Sequence, residues 1–299
     1  MPLTRWAALA SVSVASVLVA LKTWAWLASG SAGLLASLGD SGLDLAASLF
    51  TLWAVSYAAT PADAEHRHGH GKAEGFAALT QALLIGIAVT LIALESVRAL
   101  LAPKPVQAEG LAVTVMLISI VLTIALVSFQ GWVVARTASV ATAGDRLHYI
   151  TDLASNVAVL GGLGLSVALD WLWADGVVGL VVAGWLAWGA FGVAQAGVDE
   201  LMDRELPDAE REEIRRLASA GPGIKAMHQL RTRRAGPHVH ITFHADMDAS
   251  LTLAEAHRLM VAAEDRIRTA FPRADILIHP DPEGQAEDHG LPHLAVKDH

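Results

Sequence analysis

Two pairs of ionisable residues are surrounded by apolar chain. Asp40 and Asp44 lie four residues apart in one long apolar segment, and His148 and Asp152 lie four apart in another. On a helix that spacing puts both members of a pair on one face, about one turn from each other. A carboxylate at membrane depth costs about 2.5–3.5 kcal/mol on insertion scales, and lipid offers nothing to offset it. A polar network that ties helices together is the plain alternative, and for a single aspartate it would carry real weight. For two such pairs it is the weaker reading. Three carboxylates facing one another repel unless they are protonated or bridged by a cation. One divalent ion held by three carboxylate oxygens and one imidazole nitrogen removes the conflict. That ligand set suits tetrahedral Zn²⁺, with Fe²⁺, Co²⁺ or Cd²⁺ as alternatives by softness. Mg²⁺ and Ca²⁺ prefer all-oxygen shells.

Two further clusters could do similar chemistry. Asp63, His66, His68 and His70 crowd a short polar stretch. A solvated loop would explain one histidine there, but three with an aspartate predict a second metal site. Near the C-terminal end, His238, His240 and His244 share one strand parity, opposite Val239, Ile241 and Phe243. A polar outer strand face accounts for His238 and His240. His289, His293 and His299 fall in a polar end segment, 284–299, expected to be disordered and at most weakly metal-scavenging.

The elements that must position these residues are long. About 20 apolar residues cross the hydrocarbon core as a helix, and six segments qualify: Trp6–Ala28, Gly33–Ala58, Phe76–Leu101, Leu111–Ala135, Ser139–Leu169 and Asp175–Gly197. The first continues too far to read as a signal peptide. Ser29-Gly30-Ser31, the polar run Pro61 to Gly75 and Pro103-Lys104-Pro105 break the helices. Trp171 and Trp173 stand at a helix end, where indoles favour the interface. Placing both termini in the cytoplasm puts Arg5, Arg67, Lys72, Arg136 and the Arg-rich tail inside, and Arg98 and Lys104 outside. Counting ~1.5 Å per residue from the cytoplasmic ends, Asp44, His148 and Asp152 fall toward mid-bilayer, with Asp40 one turn further out. Alternating access works around a midplane site.

The remainder, 201–283, reads as a small α/β unit. Asp208–Ala220 is an amphipathic helix ended by Gly221-Pro222-Gly223. Ala226–Arg233 and His238–Met247 alternate as strands around a Gly236-Pro237 turn, Leu253–Phe271 is a second helix, and Asp275–His279 is a short strand. The order α-β-β-α-β predicts a truncated ferredoxin-like domain, after a six-helix transmembrane domain over 1–200.

Composition agrees with that division. Hydrophobic residues make up 54% of the 299, charged residues only 17%, and mean hydropathy is +0.45. A soluble domain carries about a quarter charged residues, and the deficit lies before residue 199. The net charge of −9 and the lack of a basic stripe argue against a nucleic-acid partner. With no cysteine there is no thiolate site or disulfide, and histidine is the softest ligand present.

From the first span to about Pro282 the chain resembles the cation diffusion facilitators, in particular their bacterial zinc/ferrous-iron efflux branch. The resemblance rests on Asp40-Ser-Gly-Leu-Asp44, on the loop from Pro61 to Glu74, on His148-Tyr-Ile-Thr-Asp152, on Leu230-Arg-Thr-Arg233 and on Ile278-His-Pro-Asp-Pro282. It implies a homodimeric metal/proton antiporter of the inner membrane with Asp40, Asp44, His148 and Asp152 as its transport site. Histidine rather than aspartate at the head of the fifth-span pair resembles the zinc type. The resemblance implies Asp63, His66 and His70 as loop ligands, and His68 departs from its pattern. It implies His228, His244, His257, His279 and Asp281 as tail ligands, with Asp281 able to bridge two ions. It also implies an ion pair between Lys72 and Asp203 linking the two domains.

The expected activity is export of Zn²⁺, with Fe²⁺, Cd²⁺ and Co²⁺ as alternatives, in exchange for H⁺, while cytoplasmic sites regulate the dimer. Metal binding needs ionised Asp and neutral His, and a free imidazole titrates near about 6.5, so metal and proton compete for one site. Two other classes compete with this reading. An intramembrane metalloprotease lacks support, since no His-Glu-x-x-His occurs and four protein ligands leave no position for a catalytic water. A membrane-tethered metal sensor needs only the tail and gives the costly intramembrane carboxylates no purpose.

Overall fold

The computed structural model describes residues 2–29, 32–101, 110–169 and 174–284. The breakers at Gly30-Ser31 and Pro103-Lys104-Pro105, Trp171 and Trp173, and the end segment from 285 onward lie outside them. Two compact units divide at Leu201/Met202.

The first unit holds six long helices: α1 (Leu3–Ser29), α2 (Ala32–Ala58), α3 (Ala73–Leu101), α4 (Gly110–Thr137), α5 (Val140–Leu169) and α6 (Ala174–Leu201). Each has 27 to 30 residues, or about 40 Å at the ordinary helical rise. Among the described residues, four of them, α1, α3, α4 and α6, are long and apolar enough to cross a membrane. The other two, α2 and α5, carry the paired ligands.

Small residues and hydroxyls set how the helices meet. Gly75 on α3 and Gly197 on α6 let two backbones approach. A Cβ on Gly197 would stand 3.0 Å from the Gly75 carbonyl oxygen, and one on Gly75 would meet Leu201 at the same distance. Ala8, Ala54, Val55, Ala77 and Ala141 bury together where α1, α2, α3 and α5 converge. Between α4 and α5 the chain turns on Ala138, whose φ is +51°. Ser139 then caps α5, its Oγ accepting from the Thr142 backbone N–H at 3.2 Å.

The second unit runs α7 (Asp208–Ser219), β1 (Ala226–Ala235), β2 (His238–Met247), α8 (Leu253–Ala270) and β3 (Ala274–Pro282). The sheet order is β1-β2-β3, with β1/β2 antiparallel and β2/β3 parallel. Gly236, at φ +54°, supplies the hairpin turn. Thr252 and Glu255 form a reciprocal capping box at the start of α8. One sheet face is apolar: Val239, Ile241, Phe243, Ala245, Ile276 and Ile278 pack with Ile214 and Ala218 of α7 and Ala263 and Ile267 of α8. The other face therefore carries the even-numbered residues of β2 and the odd-numbered residues of β3.

Candidate metal centres

In the first unit α2 and α5 bring Asp44, His148 and Asp152 together. His148 Nε2 lies 3.0 Å from Asp44 Oδ1 and 3.9 Å from Asp152 Oδ2. One ligand atom from each of the three falls within 4.8 Å of the others, a spacing that could hold a metal ion. The i,i+4 spacing explains His148 and Asp152, and the α2–α5 packing adds Asp44. The chemistry available is chelation by two carboxylate oxygens and one imidazole nitrogen. Asp40 stands outside this trio and is exposed.

The loop after α2 forms a second cluster. Asp63 Oδ1 lies 3.3 Å from His66 Nδ1, and Asp63 Oδ2 lies 3.3 Å from His70 Nε2. The Asp63 carboxylate also accepts the backbone N–H groups of His66 and Glu65, at 2.6 and 2.9 Å. Those bonds, His66's foremost, hold its carboxyl below the usual carboxylate range. His70 is buried beside Tyr57, with Nδ1 2.9 Å from Thr60 Oγ1. That contact fixes the ring and leaves Nε2 toward Asp63. His68 is exposed and outside this group.

The third cluster occupies the polar face of the tail sheet, opposite its core. His228, His244 and His279 pair in register across the three strands. Asp281, almost fully buried, is the hub. Its Oδ2 lies 3.2 Å from His228 Nε2 and 2.9 Å from His244 Nδ1, and its Oδ1 lies 3.2 Å from His279 Nε2. Both carboxylate oxygens thus face imidazoles, an arrangement suited to bridging. A bulge makes the alignment work. His228 pairs with His244, but Arg231 pairs with Thr242, so β1 spends one extra residue there. Gln229 takes up the bulge at φ +50°.

Not every expected partner converges. His257 is exposed on α8, the helix that packs Ala263 and Ile267 onto the apolar face. Within one chain it is therefore on the wrong side of the sheet for this cluster. Lys72 donates to the Leu201 carbonyl at 3.1 Å within the first unit. Asp203 meets Arg233 Nη1 at 3.3 Å within the second.

The structure adds residues that the spacing arguments passed over. Asp246 Oδ1 lies 3.2 Å from His228 Nε2. Lys22, inside α1, donates to Ser37 O (3.2 Å) and Ser41 Oγ (2.7 Å) on α2. Asp145 is buried one turn before His148. A charged residue within an apolar segment was the available signal for both Lys22 and Asp145.

Known families match this architecture. The model of the cation efflux transmembrane domain matches residues 8–202, and that of the cation efflux protein cytoplasmic domain matches 206–283. The chain belongs to the cation efflux, or cation diffusion facilitator, family, which makes it a membrane transporter of metal cations rather than an enzyme. The cation-efflux pump FieF of Klebsiella pneumoniae subsp. pneumoniae is 43% identical over 276 residues, covering 92% of each chain. The FieF pump of Salmonella schwarzengrund is 41% identical over the same share. A solved structure of CzrB, described as a candidate zinc transporter, is 36% identical and covers 28% of this chain and 98% of that one, at TM-score 0.26.

Proposed function

We propose that this protein exports Zn²⁺ from the cytoplasm across the inner membrane in exchange for protons, working as a homodimer. Fe²⁺, Cd²⁺ and Co²⁺ are the other candidate cargoes. In this reading all six long helices span the bilayer and both termini are cytoplasmic. The observation that carries it is the approach of Asp44, His148 and Asp152, two carboxylates and an imidazole drawn from two membrane helices.

Asp40 completes the transport site by moving inward when metal arrives, since it lies one turn from Asp44 on the same helix. Metal requires ionised carboxylates and a neutral imidazole, so each ion that enters displaces protons. Facing the cytoplasm, the site gives up protons and takes metal. Facing a more acidic exterior, it takes protons and releases metal.

Asp63, His66 and His70 hold a second ion at the cytoplasmic end of α2. His228, His244, His279 and Asp281 hold regulatory metal in the tail, joined by His257 from outside the single chain's own cluster. Lys72 and Asp203 pair to link the two domains. A membrane-tethered sensor would need the tail cluster alone and leaves Asp44, His148 and Asp152 unexplained. Zinc accumulation by vesicles containing the purified protein tests the reading. Asp152→Ala should abolish it, and a rate equal to the parent's would overturn the transport-site assignment.

A further inference from the structure

A buried carboxylate on α5 lies outside the Asp44–His148–Asp152 group. Asp145 on α5 is buried, three residues before His148. Three other helices bond it with polar, uncharged side chains, and Thr51 of a fourth holds one of those partners. Ser11 of α1 donates to Asp145 Oδ2 at 2.5 Å, and Gln130 Nε2 of α4 donates to the same oxygen at 2.7 Å. Gln81 Nε2 of α3 reaches Oδ1 at 3.4 Å and Thr51 Oγ1 of α2 at 3.0 Å. Ser11, Thr51, Gln81 and Gln130 are all buried.

This node is short of hydrogens. Gln81 Oε1 and Gln130 Oε1 are buried acceptors with no donor, a costly condition in a protein interior. Both amides turn their NH₂ groups toward Asp145, as an ionised carboxylate requires. If Asp145 carried a proton it would become a donor. Either amide could then rotate and accept from it through the oxygen now unpaired. The node has a bonding pattern for each protonation state, and the second one satisfies an acceptor that the first leaves bare.

The charged and titratable groups facing Asp145 are His148 and Tyr149 on its own helix and Asp44 on α2. From α1, α3 and α4 it meets Ser11, Gln81 and Gln130. None of its hydrogen bonds among the described residues comes from lysine or arginine. A divalent ion at Asp44 and His148 would therefore be the largest positive charge near it, and would oppose a proton there.

We propose that Asp145 is a proton-binding site separate from the metal ligands, emptied when metal occupies the neighbouring cluster and refilled when metal leaves. The proton passes to solvent on metal entry, and a proton from the acidic side replaces it. This inference rests on the proposed antiport and extends it to a residue outside the chelating set.

Calorimetric titration of the purified full-length protein with Zn²⁺, in buffers of different ionisation enthalpy, counts the protons released per ion bound. Asp145→Asn keeps the side chain's shape and its acceptor toward Ser11 but cannot ionise. The variant should bind Zn²⁺ with the parent's stoichiometry and release about one proton fewer per ion. An unchanged proton count would overturn the proposal and leave the node a structural tie. A parent that releases no protons would instead defeat the antiport reading itself. If Asp145→Asn fails to fold, infrared difference spectra of the parent replace it. Zn²⁺ should remove a protonated-carboxyl band, and Ser11→Ala should shift that band by removing its partner. A band absent from the parent, or unmoved in Ser11→Ala, would overturn the assignment.

Discussion

His148 on α5 and Asp44 on α2 are 104 residues apart in the chain and 3.0 Å apart in space. Asp152 belongs to the same group from one turn along α5. Losing one of so few ligands leaves no spare donor. His148→Ala and Asp44→Ala should each lower Zn²⁺ transport by at least about tenfold while the protein still elutes as the parent's oligomer. Size exclusion and vesicle uptake check the two halves. Normal uptake in either variant would remove that residue from the site.

Ligand chemistry should also set selectivity. His148→Asp replaces the only nitrogen with oxygen and favours harder ions. The ratio of Mn²⁺ to Zn²⁺ flux should rise. An unchanged ratio would mean that cavity geometry, rather than ligand type, makes the choice.

The contribution of Asp63 to the loop cluster should persist in mild acid. Backbone N–H bonds hold the Asp63 carboxyl below its usual range. Its charge-dependent contribution is therefore present above the ordinary carboxylate pKa of about 3.9 and is lost only as pH falls through the lowered value. In a chain with the other clusters disabled by His148→Ala and Asp281→Ala, Asp63→Asn should weaken Co²⁺ binding by a similar factor from pH 7.5 to about 5.5. A mutant defect that vanishes toward the acid end would show that Asp63 itself titrates there.

The tail cluster should respond to metal at its hub. The region 199–299 holds 19 acidic and 13 basic residues, so two apposed tails repel until cations neutralise them. Fluorescence transfer between labels on two tails should rise and saturate with Zn²⁺, and the His244→Ala, Asp281→Ala double variant should not respond. Equal responses would remove these residues from regulation.

Gln229 offers a test of the bulge. A non-glycine residue in the left-handed region costs about 1 kcal/mol, so Gln229→Gly should raise the tail's unfolding midpoint modestly. Gln229→Pro, whose ring fixes φ negative, should lower it and weaken tail metal binding through His228. A lower midpoint in Gln229→Gly would contradict the geometry.

Much of this was legible in the sequence because periodicity and charge carry it. The i,i+4 pairs announced the shared faces of α2 and α5, and strand parity separated Ile241 and Phe243 from His244. Other features depend on contacts that spacing does not encode. Asp40 shares a helix face with Asp44 yet stands apart from the trio, because a one-turn offset moves it along the α2 axis. His257 has the right side chain on the wrong side of the sheet. The bulge at Gln229 lacks the glycine that marks such positions. Asp145 is bonded by side chains from three other helices, and no local pattern predicts that convergence.

Proteoliposomes enclosing a pH-sensitive dye would report metal/proton exchange itself. Zn²⁺ added outside vesicles with an acidic interior should enter while the interior turns alkaline, and both signals should collapse together in Asp152→Ala. Zn²⁺ entry at the same rate with and without the pH gradient, or with no change in internal pH, would rule out coupled exchange.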